Sequence, residues 1–333
     1  MNKIFLSMLL AAGLLCQAPA AVAAVDYKIV TASERGTYIR IGRDLAEFVA
    51  PAADIKLDVL PSAGSADNAR RLRYEPGVKL ALVQSDVYQS FVDLAASGNP
   101  AARTLIRPLR VILPLYNEEI HFVVRADSPR NFIHEIYNAR LNAGEQGSGT
   151  ALTSATLYRL MFHQAMPEAS TTYLSNEEAL AKLVTDKTID VVAVVAGQPA
   201  KLFVDMKPVL ETYFPANLRV SNYANLLTTD IPGLAVKAFL VTYEFERAET
   251  GRNLQKMARS LCRNFGVLQE KGHPKWREVD LALPKLGRGW TYYAPTTREL
   301  RSCMAAKPGL ETRVKSPSGK ACPQQERILG LCE

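Results

Sequence analysis

The sequence predicts an α/β protein of two lobes, with central sheets flanked by helices and a ligand cleft between the lobes. Apolar runs of strand length alternate with segments of helical spacing, which is typical of a sheet covered by helices on both faces. The alternation occurs in two blocks, and between them two strand-like runs follow each other around residues 114–119. The chain therefore crosses between lobes near residues 117–125 and returns near residues 234–243. Two crossings make the lobes discontinuous and place a cleft at their junction, where small ligands usually bind.

The first block opens with the strand-like run VDYKIV at residues 25–30 and the loop TASERG. A helix ended by Pro51 follows, because apolar side chains recur at steps of three and four residues, at Tyr38, Ile41, Leu45 and Phe48. The alternating run IKLDVL predicts the next strand, and a loop of Pro, Ser and Gly leads from it to a polar helix. VKLALVQSD then predicts a buried strand, and VYQSFVDLAAS a helix that ends at Gly98-Asn99-Pro100.

The second block repeats this order. ARLNAG is predicted as a strand, EQGSGT as a loop and ALTSATLYRLMFHQA as a helix; STTYLS, NEEALAKLVTDK and IDVVAVVAG predict strand, helix and strand. A long apolar strand, AVKAFLVTYEF, follows later and leads to a helix around residues 251–268. We therefore assign residues 25–118 and 236–333 to lobe 1, including a C-terminal extension with cysteines, and residues 119–235 to lobe 2.

The first 24 residues have the pattern of a signal peptide. Lys3 provides a basic start, residues 4–15 are apolar, and the small residues at 21–23 form a cleavage pattern near Ala23 or Ala24. The apolar stretch is too short for a permanent membrane anchor. We therefore expect an exported, periplasmic protein.

Cysteine usage agrees with export. Four cysteines follow the signal peptide, and an even number in an exported chain predicts two disulfides with three possible connectivities. Proximity along the chain favours Cys262–Cys303 and Cys322–Cys332. A metal site is less favoured, because no pair has CxxC spacing and no histidine lies near the last three cysteines.

The charge balance favours anionic small molecules over nucleic acids. The full chain has 40 basic and 33 acidic residues, which gives a net charge of +7. Lys3 is the single charged residue of the signal peptide, so removal of this peptide reduces the net charge to +6. The basic residues are scattered and form no module with aromatic residues, as nucleic-acid binding would require. We therefore expect a small-molecule partner and no nucleic acid.

Catalytic motifs are missing from the sequence. It contains no HExxH, no GxSxG and no Walker lysine, and its four histidines are dispersed. Glu118 and Glu119 do not form a catalytic carboxylate pair, because adjacent strand residues point to opposite faces. We therefore expect no enzyme, no catalytic residue, no metal and no cofactor.

Three junctions between strand and helix share one physical feature. They contain SERGTY, VQSDV and GEQGSGT, and each offers glycine, hydroxyl or amide groups where a helix begins. Free N–H groups and the positive end of the helix dipole make such junctions anion sites. The alternative is that Ser148, Thr150, and Ser85 or Asp86, only cap their helices. Three such junctions spread over both lobes favour ligand binding.

These segments also resemble a known family. The order and spacing of GTYIRIGRDLA, LALVQSDV, LRVILPLYNEEIHFVVRADS, LNAGEQGSGTALTSATLYRLM, IDVVAVVAGQPA and LAVKAFLVTYEF are similar to those of the TAXI-type solute-binding proteins of TRAP transporters. The resemblance covers roughly residues 26–272. It implies a type II periplasmic binding-protein fold that encloses a small organic anion, such as glutamate or a dicarboxylate, and delivers it to the TRAP membrane permease. We expect the protein to act as a monomer. The alternative to transport is a periplasmic sensor with the same fold, whose partner is a membrane sensor protein and not a permease.

The resemblance also implies a set of ligand contacts. We add Arg35 of the first loop to this set, because its cation could pair with a ligand carboxylate. Carboxylates bind to N–H and O–H donors at fixed positions, and a tyrosine supplies an apolar wall with a polar tip. The predicted contacts are Arg35, Gly36, Thr37, Tyr38, Gln84, Ser85, Tyr116, Gly147, Ser148, Gly149, Thr150, Gly197, Gln198 and Pro199.

The chain departs from the family pattern in two places. Ser33-Glu34-Arg35 replace the glycines that usually precede GTY, so the site is expected to be narrower, with Arg35 facing either a ligand carboxylate or Glu34. Residues 274–333 match poorly. They either brace the lobes or contact a different partner.

Overall fold

The computed structural model describes residues 24–130, 132–197, 214–223, 228–287 and 289–306. The predicted signal peptide, the pair Cys322–Cys332, and Gln198 with Pro199 therefore lie outside the described residues.

Within these ranges, nine strands form one continuous sheet. Its order is β2-β1-β3-β9-β4-β7-β5-β6, and β8 pairs with β9. The strands are β1 (Val25–Val30), β2 (Ile55–Leu60), β3 (Val78–Gln84), β4 (Leu109–Val123), β5 (Leu141–Asn142), β6 (Thr171–Thr172), β7 (Val191–Ala196), β8 (Phe214–Leu218) and β9 (Ile231–Tyr243).

Helices cover both faces of the sheet. Those in the described ranges are α1 (Thr37–Phe48), α2 (Ser65–Tyr74), α3 (Ser85–Ala96), α4 (Pro100–Ile106), α5 (Gly149–Phe162), α6 (Asn176–Ala181), α7 (Ala248–Arg263), α8 (Phe265–Lys271) and α9 (Ala294–Ala305). No helix in this part of the chain is long and apolar enough to cross a membrane.

The two longest strands, β4 and β9, join the halves of the sheet. The first part of β4 pairs antiparallel with the end of β9. The end of β9 also pairs antiparallel with β3, and the last part of β4 pairs antiparallel with β7. The register between β4 and β9 shifts between Pro114 and Asn117, so one extra residue bulges from β4 there. These are the two crossings predicted from the sequence, and they give the predicted two-lobed α/β architecture. The residue limits of the lobes stay a prediction.

Strand side chains alternate between two layers of core in each half. In the first half, Ile29 and Leu82 pack beneath α1 and α7, whereas their neighbours Val30 and Val83 pack beneath α2 and α3. Because both of its faces are covered, β3 is almost continuously apolar rather than alternating with polar residues. This explains why the sequence predicted β3 as a buried strand.

Some elements differ in length from the prediction. The runs ARLNAG and STTYLS form only two-residue strands, β5 and β6, because only those residues find backbone partners. The helix predicted over residues 176–187 ends as α6 at Ala181 and continues as a π-helical turn, Lys182–Asp186. Helix α4 was not predicted, although Asn99 caps it by accepting a hydrogen bond from the Ala102 amide at 2.9 Å.

A disulfide and a buried tryptophan secure the C-terminal helices to the first half. Cys262 of α7 bonds to Cys303 of α9, which confirms the predicted pair. Trp276 is fully buried, and its indole Nε1 donates a hydrogen bond to Asp44 Oδ2 of α1 at 2.7 Å. Residues 273–306, the part of this segment that the structure describes apart from residue 288, therefore brace the first half.

We expect the double substitution Cys262→Ala with Cys303→Ala to lower the free energy of unfolding by about 3–4 kcal/mol, because the bond closes a loop of 41 residues. Urea unfolding under oxidising conditions measures the difference. Reductant should destabilise the unsubstituted protein by a similar amount. Equal stability of the two oxidised proteins would contradict the prediction.

Candidate ligand-binding site

The starts of four long helices, together with the start of the short helix α6, converge on one cavity between the two halves of the sheet. The cavity has a volume of about 100 Å³ and is reached by the first residues of α1, α2 and α5 and by Gln84, which precedes α3. Each of these helices has ten or more residues. Their free N–H groups and positive dipole ends make the cavity wall rich in hydrogen-bond donors.

Seven of the predicted contact residues line this cavity. They are Gly36, Thr37, Tyr38, Gln84, Ser148, Gly149 and Thr150. Three strand-to-helix junctions that are far apart in sequence thus meet at one place. Contact of these residues with a ligand stays a prediction.

Other predicted contacts lie elsewhere. Arg35 is exposed and Gly147 lies at the cleft rim, whereas Ser85, Tyr116 and Gly197 are buried behind the lining residues. Arg35 is also not the partner of Glu34, which pairs with Arg43 at 2.5 Å. The structure therefore does not bring these five side chains or backbones to the cavity wall.

The hydroxyl groups at the junctions divide between capping and bracing. Ser148 caps α5 by accepting from the Ala151 amide at 3.0 Å, as the alternative interpretation predicted. Ser85 instead accepts from the Lys237 amide of β9 at 3.0 Å, and Thr150 accepts from a β7 amide at 3.1 Å. Ser85 and Thr150 thus fasten helix starts to the crossing region of the sheet.

The two halves of the cleft contact each other directly. The Asp67 amide in the first turn of α2 donates to the Gly147 carbonyl at 3.0 Å, and Thr37 Oγ1 donates to the Gly197 carbonyl at 3.3 Å. Gly147 has a φ of 85°, a left-handed conformation that glycine adopts at little cost. These contacts describe a closed arrangement of the lobes.

Gly149 allows the closest approach across the cleft. A Cβ atom at this position would overlap the side-chain amide of Gln84. Only glycine lets the start of α5 lie against Gln84 without moving it. The Gln84 Oε1 atom is buried and has no hydrogen-bond partner among the described residues, so the cavity contains an acceptor that a ligand donor can satisfy.

A buried carboxyl group forms the floor of the cavity. Tyr38 Oη donates to Glu118 Oε2 at 2.6 Å, and Glu118 is only 3% exposed. The pKa of Glu118 is raised to about 8, chiefly by burial. The Tyr38 hydrogen bond and the Lys275 charge lower this pKa, whereas the carboxyl groups of Asp86 and Glu119 raise it. Glu118 was not predicted as a lining residue, although its position in a crossing strand beside Glu119 could have indicated it.

The described lining of the cavity includes Glu118, Glu145 and Glu177 but no lysine or arginine. Glu145 and Glu177 make the wall negative, whereas the raised pKa of Glu118 keeps this residue largely protonated at neutral pH. Donors for an anion therefore come from helix starts and hydroxyl groups rather than from cations. The carboxyl groups provide acceptors for a positively charged or hydrogen-bond-donating part of a ligand.

The neighbouring Glu119 carboxylate belongs to a separate cluster behind the cavity. Lys275 is almost fully buried, and its Nζ lies 3.0 Å from Glu119 Oε1, 2.9 Å from Glu278 Oε2 and 2.9 Å from the Asn117 carbonyl. The cluster fixes β4 at its bulge. The Tyr116 ring packs against Lys275, and this contact explains why Tyr116 lies in the core. Among the described residues, no group of three or more His, Cys, Asp or Glu side chains is arranged for a metal ion.

Solved structures resemble this architecture. The periplasmic binding protein BugD matches with a TM-score of 0.50 and 14% identity, over 85% of this chain and 94% of that chain. PhnD1 from Prochlorococcus marinus, in complex with methylphosphonate, has a TM-score of 0.48 and 12% identity, over 76% and 88% of the two chains. No curated protein matches by sequence. The fold and its enclosed cleft are those of two-lobed periplasmic binding proteins.

A family model gives the closer assignment. The model described as the NMT1-like family matches residues 29–212, more than half of the chain. This protein belongs to the NMT1-like family. The TAXI-type subdivision implied by the sequence motifs stays a prediction.

We expect Gly149→Ala to loosen the contact between the lobes, because the added methyl group overlaps the Gln84 side-chain amide, which is buried and has to be displaced. The Asp67 amide donates across the cleft, so its hydrogen exchange should become faster in this variant. Gly266→Ala is the control, since a Cβ atom there meets nothing within 4 Å. Unchanged exchange at Asp67 in Gly149→Ala would contradict a closed cleft that depends on this glycine.

A second prediction concerns pH. The pKa of Glu118 is about 8 in the folded protein and about 4.5 when unfolded, so the folded state holds one more proton between these values. Stability should therefore fall as pH rises from 5 to 8, by up to about 1.4 kcal/mol per pH unit from this group. Glu118→Gln should flatten that dependence in urea unfolding, and the exposed control Glu168→Gln should not. Parallel pH profiles for the protein and Glu118→Gln would exclude this origin.

Proposed function

We propose that this chain is an exported solute-binding receptor that encloses a small carboxylate-bearing ligand and delivers it to a TRAP-type permease. The observation that supports the proposal most is the convergence of four helix starts on one cleft cavity. Their N–H groups suit a carboxylate without a buried counter-cation. The motif resemblance supplies the permease as partner.

The negative wall favours an amino acid over a dicarboxylate. A dicarboxylate would place a second anion near Glu145 or Glu177, where like charges repel. An amino acid instead offers an ammonium group to these carboxyl groups and to the unpaired Gln84 Oε1. Its carboxylate is then left for the helix starts.

The volume of the cavity also restricts the ligand. About 100 Å³ is smaller than the roughly 300–1,000 Å³ of common ligand pockets. The first loop contributes to this small size, because Ser33 lines the cavity where a glycine would leave more room. A small amino acid fits the closed arrangement better than a long substrate.

Binding is coupled to closure in this proposal. A ligand that contacts α1 and α5 together interacts more strongly with closed lobes than with open ones, so it shifts the population towards the closed state. The crossing strands β4 and β9 remain paired during such a motion. The permease then recognises the closed surface.

The test is a thermal-shift screen of residues 25–333 with amino acids, 2-oxo acids and dicarboxylates, with native mass spectrometry to identify the complex. A ligand at 100 times its Kd should stabilise the protein by about 2.7 kcal/mol. The proposal expects alanine-like amino acids to bind and to be recovered unchanged. Stabilisation only by neutral or cationic compounds without a carboxylate would overturn it, and turnover of the ligand would indicate an enzyme.

Two variants sharpen this test. Glu118→Gln should weaken an amino acid by about tenfold but leave the matching carboxylic acid without an amine nearly unchanged, because only an ammonium group favours the ionised form of Glu118 and pairs with it. Arg35→Ala should leave both affinities unchanged, since Arg35 is exposed and outside the lining. Equal weakening of both ligands by Glu118→Gln would assign this residue to the shape of the site and not to amine recognition.

A further inference from the structure

A second, larger cavity lies at the opposite end of the first half of the sheet. Its volume is about 1060 Å³, and it forms where β1 and β3 begin and β9 ends. Because β1 and β3 are parallel and their last residues lead to the cleft, their first residues face away from it. This distal cavity is therefore separate from the candidate ligand site.

The distal cavity has an excess of positive charge. Six cationic side chains and three carboxylates line it, which leaves an excess of three positive charges. The cations are Arg73, Lys79, Arg103, Arg107, Arg110 and Arg247, and the carboxylates are Glu244, Glu246 and Glu249.

Most of these cations lack a carboxylate partner. Arg110 pairs with Glu244, whereas the other five form no salt bridge within 4.0 Å with any described residue. They come from α2, β3, α4 and the start of α7, so the fold gathers charges that are scattered in the sequence. Gathering like charges costs free energy unless an anion neutralises them.

Lys79 shows this cost most clearly. It is half-buried, its Nζ lies 4.1 Å from the centroid of the Phe245 ring, and partial burial together with the nearby Arg247 lowers its pKa. The aromatic ring stabilises the cation and fixes its position. A positioned ammonium group beside a guanidinium group, with neither neutralised by protein, is the arrangement that a multivalent anion requires.

We propose that the distal cavity binds a phosphoryl-bearing polyanion, either a soluble polyphosphate or the headgroups of an anionic membrane. Guanidinium groups bind phosphoryl oxygens through two parallel hydrogen bonds, and five of the six cations are arginines. The volume exceeds what one phosphate needs, and the charge excess calls for more than one negative charge. The N–H groups at the start of the 16-residue helix α7 add donors at the same wall.

Calorimetric titration of residues 25–333 with sodium tripolyphosphate at about 150 mM salt tests the soluble source, since screening at this salt suppresses diffuse attraction. Sedimentation with phosphatidylglycerol vesicles, against phosphatidylcholine vesicles, tests the membrane source. Binding of tripolyphosphate supports a soluble ligand, and binding of phosphatidylglycerol alone supports headgroups. Binding of neither, or equal binding of a polyglutamate peptide, would overturn the proposal.

Matched variants locate the binding. Lys79→Gln with Arg247→Gln should weaken binding about tenfold or more, because two charge-assisted contacts are lost. Arg103→Gln with Arg107→Gln should also weaken binding. Both residues are exposed, so a loss of affinity in this variant would not result from a change in packing. Lys56→Gln with Lys182→Gln removes the same charge outside the cavity and should retain affinity. An equal loss in this control would show attraction to net charge alone and sink the proposal.

Discussion

The pairing of β4 with β9 is the constraint on which the rest of the structure depends. These strands run through both halves of the sheet, so one backbone ladder fixes the relative position of every helix start at the cleft. The bulge near Asn117 interrupts that ladder between the lobes, and the buried ammonium group of Lys275 binds the carbonyl exposed there. In the proposed closure, the lobes rotate at this interruption while the ladder stays paired on either side of it.

Charge is distributed unevenly along the molecule. The cleft wall contains carboxyl groups, with donors from helix starts, whereas the distal end of the first half collects arginine and lysine side chains. The donors of the cleft wall suit a small ligand at fixed hydrogen-bond geometry, and the distal cavity suits a larger anion held by charge. The modest net charge of the chain conceals this separation, because the two regions partly cancel.

Local pattern was enough to predict many elements. The helical period at Ile41 and Leu45 predicted α1, and the apolar run VKLALVQ predicted β3, because burial on both faces leaves a direct trace in composition. The junctions around Thr37, Gln84 and Ser148 were predicted as site residues because helix starts have recognisable chemistry. The lengths of β5 and β6 were not predictable, since they depend on where a neighbouring strand offers partners.

The sequence by itself determined the α/β alternation and the two crossings, because periodicity and residue chemistry act over short distances. It predicted the junctions as ligand contacts and favoured the disulfide Cys262–Cys303 among three connectivities, which only the tertiary structure decided. Only the tertiary structure decided that Glu118 faces Tyr38 while Glu119 faces Lys275, and that Arg35 stays exposed. Alternation along a strand separates two adjacent carboxyl groups, but it does not say what lies opposite each one. That choice is made by residues 80 and 156 positions away, which only folding brings into contact.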